Sequence, residues 1–265
     1  MKNIESFFKI PWEHWENATI EYMSSKMLTN FEIFKNITKE KWSFNFRDKI
    51  SIDSENNIIT LPKNISFEQF CYIFRMIIDG MAVLNSFTPM HASAIEYKNI
   101  QIILCAKSND GKSYFANKLC NNLERCSLIG DDHIVENGEI LYGNSIMRIR
   151  SENLPDIYIP NEKNSSTKGK KIIIGIKRFK ENRCRTITSK DEMIEKFHEL
   201  TFTKYLLDPF VANGILYDAN EIFNMDIKSK YIENILKFSK ELHWISGDED
   251  YIKENLLKYI DDLGE

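Results

Sequence analysis

The chain has 265 residues, 43% of them hydrophobic and 12% aromatic, enough apolar material for one large domain or a catalytic domain with a smaller appendage. A charged fraction of 28%, a formal net charge of -4 and a pI near 5.9 give no global electrostatic reason to bind nucleic acid or an anionic membrane. No run reaches the about 18 uncharged apolar residues of a membrane helix, because the best candidate, Phe67 to Leu84, contains Glu68, Arg75 and Asp79.

The opening residues mix acidic and basic groups with tryptophans and lack the uninterrupted apolar core of a secretory signal, so a cytoplasmic protein is expected. Residues 1-86 read as a small α+β segment. Its aromatic start is helical in pattern, and alternation follows at Trp42, Phe44 and Phe46, then at Ile50 and Ile52. The polar run Asp53 to Asn57 before Ile58-Ile59-Thr60-Leu61 predicts a hairpin. A helix comes next, with Ser66 as its cap and Gln69 reaching back. Phe67, Phe70, Phe74, Ile77, Ile78 and Met81 form its apolar stripe.

Residues 87-265 read as a catalytic domain. His91 to Tyr97 predicts a strand, Lys98-Asn99 a turn, and Ile100 to Leu104 a second strand leading into a turn and a helix over Tyr114 to Leu123. Further strands are expected at Cys126 to Ile129, Ile140 to Tyr142, Ser145 to Ile149 and Lys171 to Phe179, with a polar loop over Asn161 to Lys170. Helical patterning dominates the rest, over 191-206, 231-242 and 249-262, with Gly247 in a turn. Cys71, Cys105, Cys120, Cys126 and Cys184 lack metal-ligand spacing and read as reduced thiols.

The sharpest motif is Ala106-Lys107-Ser108-Asn109-Asp110-Gly111-Lys112-Ser113, followed by Tyr114. It fits G-x-x-x-x-G-K-[ST] except at the first glycine. A strand precedes it and a helix follows, so backbone N–H groups and the positive end of the helix dipole can surround phosphates. Lys112 would neutralise the β and γ phosphates of a nucleotide, and Ser113 would offer its hydroxyl to Mg²⁺. Ala106 adds a methyl, Asn109 stands where glycine is frequent but tolerates left-handed geometry, and Asp110 sets a negative charge beside anionic phosphates.

Beyond the helix, Leu128-Ile129-Gly130-Asp131-Asp132-His133 delivers two adjacent carboxylates at a strand end. Phosphoryl transfer needs a metal ligand and a group that orients or deprotonates the attacking hydroxyl, and two aspartates can divide those tasks. By itself Asp-Asp after a strand is an ordinary turn or cap. Its place one helix past a phosphate loop favours the catalytic reading. His91, on the strand before, is either structural or a partner that tunes one of these carboxylates.

His91-Ala92-Ser93-Ala94, the phosphate loop, and Ile129 to Glu136, in this order and spacing, resemble the catalytic core of the HPr kinase/phosphorylase family and its smaller relatives. The resemblance covers about residues 90 to 136 and implies an α/β fold with an HPr kinase and phosphoenolpyruvate carboxykinase-like P-loop core, a small N-terminal α+β segment and a helical C-terminus. It implies ATP and Mg²⁺ as cofactors and serine phosphorylation as the activity. Carried over by position, Lys112 binds phosphate, Ser113 and Asp132 hold the metal, Asp131 is the general base, and His91 supports Asp131. The family's glycine-rich signature after the aspartates is absent; Met147 to Glu152 stands nearest to it.

The implied acceptor is a serine-containing peptide or protein, and the "HASA" wording resembles short relatives that modify serine on ribosomally made peptides. A small hydroxyl substrate such as free serine, or a nucleotide-binding module without catalysis, are the competing readings. A homo-oligomer is expected from the same resemblance. Arg148 and Arg150 share a face and suit a phosphate clamp, whereas Arg183 and Arg185 read as surface charges. Lys168, Lys170 and Lys171 belong to a polar loop, where solvation is the default.

Overall fold

The computed structural model describes residues 30-63, 67-144, 146-149, 157-160, 165-166, 169-200, 206, 209-212 and 215-264. The sequence stretch before residue 30, the Ser66 cap, the Arg148 and Arg150 side chains, Lys168 and residues 201-205 lie outside the described set. The fold is mixed α/β and divides into two compact units. One comprises the described residues up to Phe87 with those of Lys204–Tyr231; the other comprises those of Thr88–Thr203 and Ile232–Glu265.

In the first unit, helix α1 at residues 30-38 is followed by strands β1 (Ser43–Arg47), β2 (Ser51–Asp53) and β3 (Ile58–Pro62) and helix α2 (Phe67–Leu84). The expected hairpin is β2–β3, antiparallel, with Asp53 accepting from the Asn56 amide at 3.1 Å in its turn. The alternation at 42-46 is a third strand, parallel to β3. Helix α2 buries more than the predicted stripe. Ile73, Met76, Asp79, Gly80, Ala82 and Val83 are also buried, so it serves as a core element, with Arg75 satisfying Asp79 at 3.1 Å.

The second unit contains β4 (Thr88–Met90), β5 (Ala92–Tyr97), β6 (Ile100–Ala106), α3 (Lys112–Asn122), β7 (Cys126–Gly130), β8 (Ile134–Glu136) and β9 (Leu141–Gly143). After these come β10 (Ile146–Ile149), β11 (Ile157–Pro160), β12 (Ser165–Ser166), β13 (Lys170–Arg178), β14 (Arg183–Ile187) and α4 (Lys190–Leu200). In the first unit, β15 (Phe210–Ala212) and β16 (Ile215–Tyr217) pair with each other and lead to α5 (Ala219–Phe223). Helix α6 (Ile227–Phe238), β17 (Leu242–Gly247) and α7 (Glu249–Gly264) end the chain.

A six-stranded sheet of order β14-β17-β13-β6-β5-β7 forms the centre of this second unit. Strands β6, β13 and β17 are parallel, and β5, β7 and β14 run against their neighbours. β6 is buried along its whole length, as a near-continuous apolar strand covered on both faces must be. The Lys98-Asn99 turn takes positive φ at both residues (46° and 65°), which matches the twist of the flanking β5–β6 hairpin. A second, antiparallel sheet has the order β12-β9-β8-β4.

The C-terminal third is less helical than its pattern suggests. Leu242–Gly247 is a fully buried strand between β13 and β14, and the helix expected over 231-242 runs over Ile227–Phe238 instead. The six residues of this strand, Leu-His-Trp-Ile-Ser-Gly, are all buried although His243 and Ser246 are polar, so their hydropathy shows no strand period. The expected polar loop supplies Ser166, whose buried hydroxyl donates to Glu96 at 2.5 Å and accepts from Gln101 at 2.7 Å. Among the described residues, no helix is long and apolar enough to cross a membrane.

Candidate active site

The loop between β6 and α3 is a sharp turn. Asn109 takes φ 72° and Gly111 φ 96°, and Asp110 N–H donates to the Lys107 carbonyl at 3.2 Å, so the chain turns back on itself before the helix. Asparagine thus fills the left-handed position that its chemistry tolerates. At Gly111 a Cβ would stand 3.1 Å from the Phe115 ring, in addition to the backbone penalty. No side chain caps α3 at Gly111, and its first turn carries no acidic residue, so the positive end of the helix is open to a ligand. Lys112 opens the helix and is only 8% exposed.

The residues around this loop balance its charge. Ala106 is fully buried as the last residue of β6, while Lys107, Ser108 and Asn109 are exposed. Burial raises the Asp110 carboxyl above its ordinary value against the pull of Lys107, Lys177 and Arg178. Lys177 and Arg178 end β13, the parallel neighbour of β6. Lys107, Lys177 and Lys196 converge on Glu199 at 3.2, 3.0 and 3.1 Å. Burial pushes that carboxyl up, but the lysines outweigh burial and hold it at about 2. Tyr114 donates to Glu249 at 2.5 Å, and Arg178 meets the same carboxylate at 3.0 Å, which ties the start of α3 to the start of α7.

The two aspartates face different surroundings. Asp131 is 2% exposed, and its Oδ1 accepts from Ser93 at 2.5 Å and from Ser113 at 2.8 Å. Burial raises its carboxyl; the Ser93 hydrogen bond opposes this, the Asp132 charge adds to it, and Lys112 and Ser113 oppose it. Asp132 is 37% exposed and sits at φ 66°, a strained conformation for a residue with a Cβ. Its Oδ1 lies 2.7 Å from His91 Nε2. His91 therefore meets Asp132, and the expected contact with Asp131 is made by Ser93 instead. His91 lies at the bend between β4 and β5, whereas Ser93 lies within β5. His133 is buried, with its carbonyl accepting from the Asn144 amide at 3.1 Å.

A glycine pair fixes the strand end that carries the aspartates. A Cβ on Gly130 would lie 2.3 Å from Gly143 Cα, and one on Gly143 would lie 2.5 Å from Gly130 Cα. Both His91 and Asp131-Asp132 occupy crossings between the sheets: His91 lies between β4 and β5, and the aspartates between β7 and β8. The sequence reading did not single out Ser93, Lys177, Arg178, Glu199 or Glu249. Ser93 was within reach, two residues past His91; the others depend on which strands and helices become neighbours.

The all-oxygen set of Ser113 and Asp131 beside a buried lysine fits Mg²⁺ with a polyphosphate. Among the described residues, no cluster of three or more His, Cys, Asp or Glu would hold a metal alone.

No protein family's sequence profile matches the chain, and no curated protein matches it. Among solved structures, the Hpr(Ser) kinase/phosphatase from Coxiella burnetii is similar over 66% of this chain and 95% of that chain, at 14% sequence identity and a TM-score of 0.33.

Proposed function

We propose that this chain is an ATP- and Mg²⁺-dependent phosphotransferase that phosphorylates a serine or similar hydroxyl on a peptide or protein. The observation that carries the reading is the Ser113–Asp131 contact at 2.8 Å, which links an open helix N-terminus with its buried lysine to the acid pair. The motif order that resembles the HPr kinase family supports it.

In this reading the Ala106–Ser113 loop wraps the phosphates with backbone N–H groups, and Lys112 neutralises their charge. Mg²⁺, held by Ser113 and Asp131, would supply charge stabilisation for the phosphate oxygens. Asp131 is better suited to the metal side than to the base role first assigned to it, because it is buried and already faces the Ser113 hydroxyl. Asp132 is better suited to take the acceptor's proton, being more exposed and held by His91. Arg178 and Lys177, at the end of the neighbouring strand, are each already paired with a carboxylate, Glu249 and Glu199, and would contribute to phosphate only by exchanging those partners.

Calorimetric titration of the full chain with ATP and Mg²⁺, beside Lys112→Ala, tests the reading. Saturable binding that the variant loses supports it and directs an acceptor search among serine peptides and hydroxyl metabolites. Absence of binding in both proteins removes the kinase reading.

A further inference from the structure

Helix α3 and strand β7 carry a pair of thiols where one element hands over to the other. Cys120 Sγ lies 3.3 Å from Cys126 Sγ, both side chains half-buried and packed against the central core cluster. The turn between them is tight: Leu123 N–H donates to the Leu119 carbonyl at 2.9 Å, Cys126 N–H to the Leu123 carbonyl at 3.2 Å, and Arg125 takes φ 63°. A disulfide requires about 2.05 Å between sulfurs, so the pair need close by only a little over 1 Å.

The other cysteines are placed differently. Cys105 is fully buried in β6, Cys71 lies on α2 in the first unit, and Cys184 is exposed beside His243 Nε2 at 3.4 Å.

We propose that Cys120 and Cys126 are a reversible peroxide-sensitive dithiol that closes a disulfide across the α3–β7 turn. The Cys120 thiolate attacks hydrogen peroxide; the O–O bond breaks, Cys120 becomes a sulfenic acid, and the other oxygen leaves as water. The Cys126 sulfur then attacks the Cys120 sulfur, the S–O bond breaks, and the second oxygen leaves as water. Two thiols and one peroxide yield one disulfide and two waters, with two electrons passing from sulfur to oxygen. The two thiols share one hydrogen bond in which either sulfur can be the donor, with Cys120 taken as the attacking sulfur. The cross-link would join the last turn of the helix that begins at Lys112 to the first residue of the strand that ends beside Asp131. Its formation does not depend on the function proposed above.

The test uses the reduced full chain, freed of reductant and treated with one equivalent of hydrogen peroxide. The five thiols titratable under denaturing conditions should fall to three, with the mass lower by two hydrogens. Trypsin cuts after Arg125, so the peptide holding Cys120 should be found joined to the one holding Cys126, and dithiothreitol should restore all five thiols. In Cys126→Ala, the same treatment should leave a sulfenic acid on Cys120 that dimedone traps. Five thiols remaining after peroxide, a cross-link mapping to Cys184, or loss that dithiothreitol does not reverse would each overturn the proposal.

Discussion

His91 Nε2 stands 2.7 Å from Asp132 Oδ1, and this contact joins two neighbouring points at which the chain passes from one sheet to the other. The register brings the two crossings together: Met90 pairs with Ile134 on one side of them, and Ala94 with Gly130 on the other. An imidazole and a carboxylate held this way form a pair with an exposed edge.

Asp132→Asn tests the base. Asparagine tolerates the φ of 66° at this position, so the variant should fold and bind ATP as the parent does. Phosphoryl transfer to the acceptor should fall by about 10²–10⁴. Nucleotide titration and a coupled assay for ADP release separate the two effects; unchanged turnover would remove Asp132 from the mechanism.

Asp131→Asn should split stability from activity. The folded protein raises this carboxyl above its ordinary 3.8, so over the window from there up to the folded value it binds protons more tightly than the unfolded chain does. Stability from this group is therefore fully present below 3.8 and lost as pH rises through the folded value. The Asn variant escapes that loss. It should melt higher than the parent at pH 7, with the difference closing as the pH is lowered, while Mg²⁺-dependent turnover drops about 100-fold or more. Thermal melts across pH would expose an error if the difference grew on acidification.

Glu199 carries the opposite sign. Its carboxyl is held at about 2, below the ordinary 4.5, so its contribution is present above 4.5 and fades as pH falls toward 2. Glu199→Gln leaves Lys107, Lys177 and Lys196 facing each other and should cost about 1–2 kcal/mol at pH 7 and low salt. Denaturant unfolding should show that cost shrinking below pH 4.5 and in high salt.

Gly130→Ala drives a methyl to within 2.3 Å of the Gly143 backbone, where no side chain can give way. A loss of roughly 1–3 kcal/mol is expected, with weaker Mg²⁺-ATP binding because the end of β7 must move. A melting temperature equal to the parent's would mean that the strand ends yield more easily than their contact implies.

Much of the site was legible because it lies along a short stretch of chain. The β6–α3 loop and Asp131-Asp132 are each a short run of sequence, separated only by α3 and β7, and a buried strand running into a helix is a strong local signal at Ile100–Ala106 and Lys112–Asn122. The pairing of His91 was misread, since which aspartate it reaches depends on the left-handed turn at Asp132. Leu242–Gly247 was missed for a different reason. A central strand needs no alternation, and only its placement beside β13 distinguishes it from the end of a helix. Glu199 and its lysines come from strand and helix ends that meet only in the folded sheet.

The sheet crossings also bear on when the site comes into being. The β4–β8 pairing and the β5–β7 pairing each bring together segments distant in sequence, and the imidazole–carboxylate pair needs both. With one sheet formed and the other open, the chain would carry the β6–α3 loop but not the His91–Asp132 pair. Under the proposed function, such a chain would hold nucleotide before it could spend it, and completing the second sheet would act as a checkpoint on the chemistry.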